Sequence, residues 1–266
     1  MSLGRHLRLG LGVAAGPDPR VLADLAREAE DLGYDSIWCN DSPAGEGLLQ
    51  LSAWASRSRH IRLAVGVVAL DRHQPADVAD RVRELGLPLD RLLIGVGAGF
   101  TATPLIVVRE GVRALRSELP GVRVAVAAMG PKMRGLAGAV GDAVLLNWMT
   151  PERAAWARPL VDAGATAAGR QAGDITVFGY VRTALGPDAH ERLQRESTMY
   201  LQMPHYARHF TNMGADPGSV GIAVAEPSAV ASGIKRYKAM DEPVVRVLSH
   251  RSTGDIMAAA RAAIGA

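Results

Sequence analysis

The sequence of 266 residues has one cysteine, Cys39, so no internal disulfide can form, and a reducing, cytoplasmic setting is expected. Cys39 lies beside Trp38 inside an apolar run and reads as a core residue. Aromatic residues are scarce at 5%, which leaves Ala, Val and Leu to build the core. No apolar run reaches the roughly 20 residues that span a bilayer, and the N-terminus lacks the charged-then-apolar pattern of a secretory signal, so no membrane partner is expected. Charge of one sign is also lacking: 30 basic residues against 27 acidic ones leave a net charge of +3. The arginines are spread along the chain rather than interleaved with aromatics, which argues against nucleic acid and for small anionic partners. G-x-S-x-G, G-x-x-x-x-G-K-[ST] and C-x-x-C are all missing, so acyl transfer, ATP hydrolysis and dithiol exchange lack their local signatures.

What is present is an alternation of short apolar runs with amphipathic segments. Residues 7–15, 34–39, 61–69, 92–96, 122–128, 143–146, 176–182 and 244–248 read as buried strands. Helical patterns fall between them. Asp18 is placed to cap the first, with Pro19 in its opening turn after the break Gly16-Pro17, and Gly33 ends it. Pro131 suits a first helical position, Met133, Leu136, Ala137 and Val140 form a stripe, and Gly141 stops the helix. Residues 187–213 read as one long helical stretch, the least regular part of the chain, and 225–240 as another. Eight β–α units in a length close to the roughly 250 residues of a (β/α)8 barrel favour that closed α/β fold, in one domain over 1–266.

In such a barrel the loops after the strands share one mouth, so Asn40-Asp41, Gly66 to His73, Gly97-Ala98-Gly99, Ala127 to Gly130 and Asn147-Trp148 should converge there. The glycines at 95, 97 and 99 let a backbone approach a flat ring, or simply make a tight turn. Free N–H groups at the start of the helix after Gly130 offer a site for a phosphate or carboxylate. Asp41 can hydrogen-bond a ligand or cap the next helix, and His73 can be a solvated loop residue or lie near a cofactor. His205 and His209 share a helical face, but no third ligand accompanies them, so no metal site is expected. Tyr200, Tyr206 and Phe210 are expected to pack on the barrel or a partner subunit.

Four stretches, LADLAREAEDLGYDSIW followed by Asn40-Asp41, IRLAVGVVALDRHQPADVADRV, DRLLIGVGAG and above all AAMGPKMRGLAGAVGDAVLLNWMTPE, resemble the luciferase-like flavin and deazaflavin oxidoreductases. They are most similar to the branch that uses coenzyme F420, which includes methylene-tetrahydromethanopterin reductase. The resemblance implies a barrel holding the cofactor at its C-terminal mouth, with hydride passing between its ring and a small organic substrate. It implies shortened insertions relative to larger members, a non-prolyl cis peptide at Gly66-Val67 behind the ring, cofactor contacts at Asn40, Asp41, Gly97, Ala98, Gly99, Asn147 and Trp148, and a phosphate-bearing tail at Ala127, Ala128, Met129 and Gly130. Asp41 matches the family's acidic residue and is the candidate catalytic group. Many relatives place His directly after it, where this chain has Ser42. A homodimer is the expected assembly. The alternatives are an FMN-dependent monooxygenase or reductase, a non-catalytic flavin- or deazaflavin-binding barrel, and a sugar-phosphate barrel lacking identifiable acid–base groups.

Overall fold

The computed structural model describes residues 7–16, 18–249 and 252–265; Pro17, part of the expected break before the first helix, lies outside them. Nine parallel strands form the sheet among these residues: β1 Gly10–Val13, β2 Ser36–Cys39, β3 Arg62–Ala69, β4 Leu92–Gly97, β5 Arg123–Ala127, β6 Ala143–Asn147, β7 Thr176–Leu185, β8 Ile222–Val224 and β9 Glu242–Val247. Strands β1 to β6 pair in chain order, β6 pairs with β7, β7 with β9 and β9 with β1, which closes an eight-stranded parallel barrel. The eight apolar runs read from the sequence supply these eight strands. The ninth, β8, was not foreseen. Its three residues add to the outer end of β7, at Thr183 to Leu185, beyond the stretch that pairs with β6.

The barrel interior follows from strand parity, because alternate residues face inward. At the floor, buried Glu242 accepts from the Ser36 hydroxyl and pairs with Arg62 at 3.2 Å and Arg8 at 2.9 Å. Above it Trp38, Ala64, Leu93, Ala125, Leu145, Phe178 and Val244 fill the middle as a layer of their own. The rings of Trp38 and Phe178 meet at 5.0 Å, tilted by 60°, and Tyr180 meets Trp38 at 5.9 Å, so three aromatics plug a layer otherwise made of alanine and aliphatic residues. The outward faces of the same strands join the helices in the larger core. That double burial is why the strands read as continuous apolar runs.

The helices are α1 Leu25–Asp31, α2 Gly47–Ala55, α3 Pro75–Glu84, α4 Pro104–Glu118, α5 Pro131–Val140, α6 Pro151–Ala155, α7 Ala157–Ala167, α8 Ala189–Leu201, α9 Pro204–Met213, α10 Ser228–Lys235 and α11 Thr253–Ile264. Three differ from the sequence reading. Asp18 does accept from the N–H of Arg20, but it caps a short 3-10 turn, Pro19–Leu22, and α1 begins after it. The expected stretch 187–213 is two helices, broken before Pro204, whose ring cannot continue a preceding helix. On α5 the buried residues are Arg134, Leu136, Ala137 and Gly138, while Met133 and Val140 are half-exposed. The face is rotated because α5 and α7 touch backbone to backbone: a Cβ on Gly138 would lie 2.9 Å from the Ala165 nitrogen, and one on Gly164 2.8 Å from the Gly135 Cα. No helix among the described residues is long and apolar enough to cross a membrane.

Candidate active site at the barrel mouth

The expected mouth residues sit at or just after the C-terminal ends of strands, except Gly66 and Val67, which lie inside β3 where its register with β4 shifts. The floor of the mouth is made of residues with little or no side chain: Gly12, Gly66, Gly97 and Ala127. The Gly66–Val67 peptide is cis, as the resemblance implies. A side chain at Gly66 would overlap the Tyr180 hydroxyl, which donates to the Gly66 carbonyl at 3.1 Å, and would meet Leu145 Cδ2 at 2.9 Å. At Gly95 a Cβ would run into the Val65 carbonyl, where the β3–β4 register shifts. Gly99 is demanded by its conformation as well as by space: φ is +67°, and a Cβ would overlap the carboxylate of Asp71, which accepts from the N–H of Phe100 at 2.8 Å.

Asn40 and Asp41 follow β2. The Asn40 Oδ1 accepts from the N–H of Ala15 at 3.3 Å and ties the first two βα loops together. Of the two roles left open by the sequence, Asp41 takes the capping one, and it also meets His73. Its Oδ1 accepts from the N–H of Gly47 in the first turn of α2 at 3.0 Å, and its Oδ2 lies 3.1 Å from Nε2 of His73. With a carboxylate as acceptor, Nε2 carries the proton and Nδ1 is left free to take one up. Asp41, Arg72, His73 and the 42–46 loop line a cavity of about 450 Å³. Burial and the nearby Asp41 push the Cys39 thiol up, so this cysteine is a core group with no nucleophilic role.

Gly130 is exposed, with open space where a Cβ would go, and no side chain caps α5. The helix start therefore opens into a cavity of about 290 Å³ that Arg134, Arg153, Arg208, His205 and His209 also line. None of the lining residues is acidic. Arg134 is buried: it donates to the Met129 carbonyl at 2.6 Å and leaves its Nε without a partner. Burial, and then Arg153, lower its pKa, the signature of a cation held without a counter-charge. Met129 lines this cavity, whereas Ala128 is buried in the barrel wall and donates its N–H to the Leu145 carbonyl at 3.1 Å.

The Asn147–Trp148 corner departs from the expectation of a ring at the open mouth. Trp148 has a φ of +51°, rare for a residue with a side chain, and its ring is fully buried against Tyr200 at 5.1 Å and Phe210 at 5.4 Å. Its carbonyl accepts from Nε2 of His209 at 2.8 Å. His209 is thereby a structural donor, and burial lowers its pKa before any other influence. Asn147 stays in the mouth, donating to the Tyr206 hydroxyl at 2.9 Å and accepting from Arg182. Helices α8 and α9 thus form a roof over one side of the barrel.

Sequence reasoning missed Arg134, Arg182 and Arg246. The signal was there in part: residues 178, 180 and 182 share parity with one another, as do 242, 244 and 246, so Phe178, Tyr180 and Val244 mark both arginines as inward-facing.

The luciferase-like monooxygenase family model matches residues 5–109 and 100–248. The 5,10-methylenetetrahydromethanopterin reductase of Methanolobus tindarius is 28% identical over 215 residues, which cover 67% of this chain and 66% of the relative. The chain thus spans just under two thirds of that relative's length. An F420-dependent secondary alcohol dehydrogenase in complex with an F420-acetone adduct shares the fold with a TM-score of 0.80 at 16% identity, covering 97% of this chain and 98% of that one. The coenzyme F420 dependent tetrahydromethanopterin reductase from Methanopyrus kandleri does so with a TM-score of 0.74 at 18% identity, covering 97% of each. By its sequence match across most of its length and by its barrel, the chain belongs to the luciferase-like monooxygenase family.

Proposed function

We propose that the protein is an oxidoreductase that binds coenzyme F420 and transfers hydride between it and a small organic substrate. The observation that carries this reading is the pairing of a floor of small residues on the β3 to β5 side of the mouth with an acid-free arginine cavity. A flat ring needs the first and a phosphate-bearing tail needs the second. The names of the relatives support it. The residues present fit such a cofactor: Gly66, Val67, Gly97, Ala98 and Gly99 would face the ring, with Asn40 and Asn147 at its edges. Met129, Gly130, the start of α5 and Arg134 would hold the tail, where helix dipole and guanidinium both favour negative charge.

The cofactor would supply the hydride chemistry itself, and the protein supplies position and electrostatics. Asp41 orients the imidazole of His73, and the free Nδ1 of that ring is the atom able to hold or give up a proton at the mouth. His73 thus sets an imidazole beside Asp41 in a chain that has Ser42 directly after it. The roof helices shield the Asn147 side from water.

Titrating the purified protein with F420 and with FMN, followed by absorbance and fluorescence, tests the reading. F420 should bind the more tightly, and a productive substrate should then change its absorbance. Tighter binding of FMN would replace the deazaflavin assignment, and binding of neither would remove the oxidoreductase reading.

A further inference from the structure

We infer that Arg182 and Arg246 form an oxyanion subsite in the barrel mouth, so that the substrate carries a carboxylate or phosphate group. This rests on the reading that substrate meets cofactor at this mouth.

The two arginines are register partners on the parallel strands β7 and β9, one inward step above Tyr180 and Val244, so their side chains rise side by side. Arg182 is only 2% exposed and its Nε has no partner. Its Nη1 donates to Asn147, and its guanidinium lies 4.3 Å from the Trp148 ring and 5.2 Å from the Tyr200 ring. These contacts fix the direction of the fork without neutralising it. Arg246 is half-buried, so solvent reaches it, and among the described residues its Nη1 donates to the Val247 carbonyl at 3.3 Å. Its stem crosses the bare backbone of Gly12, where a Cβ would stand 3.2 Å from its Cδ.

No ion pair joins either guanidinium to a carboxylate among the described residues. Burial, and then the charge of Arg182, lower the Arg246 pKa; the groups that oppose this are Tyr180, Glu196 on α8 and Tyr200. Two like charges side by side, one of them buried, are costly unless an anion joins them, and a planar pair of forks matches a carboxylate or phosphate. The outer cavity at α5 is a separate place, lined by neither arginine.

Acetate and inorganic phosphate, with acetamide as the neutral control, are titrated into a Trp156→Phe background, which removes the indole of the outer cavity so that Trp148 beneath Arg182 can report. A saturable fluorescence change with either anion and none with acetamide is expected. Arg246→Met should weaken it at least tenfold, and Arg246→Lys, which keeps the charge if the methionine variant folds poorly, should keep most of it. Tighter acetate would assign a carboxylate substrate, and tighter phosphate a phosphorylated one. Anion binding that is equal in Arg246→Met and the parent, or absent from the parent, would overturn the inference. F420 titrations of the same proteins should be unchanged by Arg246→Met. A parent that binds anion but no F420 would refute the cofactor reading and leave the subsite standing.

Discussion

Nε2 of His73 lies 3.1 Å from Oδ2 of Asp41, joining the loop after β3 to the loop after β2 at the rim of the barrel. The pair places an imidazole beside the acidic residue in a chain whose sequence has Ser42 next to it. If it handles the proton that accompanies hydride transfer, Asp41→Asn and His73→Gln should each slow transfer from bound F420 by about 10²-fold in a stopped-flow assay. Added imidazole should restore part of the loss in His73→Gln. An unchanged rate in both variants would leave the pair with a purely positional role.

At the start of α5, Gly130→Glu adds volume and negative charge to a place that is open and acid-free. Its affinity for F420 in a fluorescence titration should fall at least tenfold, while its thermal midpoint should barely move because nothing occupies the space a side chain would enter. Parent-like affinity would place the cofactor tail elsewhere.

The buried His209 sets a pH dependence whose sign is fixed by its environment. Burial depresses its pKa below the ordinary 6.5, so the unfolded chain binds the extra proton first. Stability should therefore fall as pH drops below that value, by up to about 1.4 kcal/mol per pH unit for one such group. His205 is depressed in the same direction and adds to the slope. His209→Gln keeps a donor for the Trp148 carbonyl, and urea unfolding across pH 5 to 7 should show a shallower dependence than the parent, as expected for roughly one fewer proton taken up.

Under Gly66 the limit is space. Gly66→Ala forces a methyl group against the Tyr180 hydroxyl and Leu145, and should cost about 1 to 3 kcal/mol in denaturant unfolding. Adding Tyr180→Phe removes the hydroxyl and should recover part of the loss, although it also removes the bond to the Gly66 carbonyl. Two losses that simply add would show that this contact is not what excludes a side chain.

Local pattern alone determined much of this protein. The apolar runs that became the eight barrel strands, the helix at Pro131 and the glycines of the mouth were all legible, because buried parallel strands and helix starts leave signals within a few residues of themselves. The likeness of the 127–152 stretch to a family was equally local. Tertiary structure decided what those signals could not carry. It brought His73 to Asp41, turned Trp148 inward under α8 and α9, and rotated α5 until Arg134 was buried. It also set Arg182 beside Arg246 across strands that are distant in the chain. Strand parity says which way a side chain points, but its neighbour across the sheet and the element that covers it depend on closing loops of very different length, and that is settled only by the packing of the whole barrel.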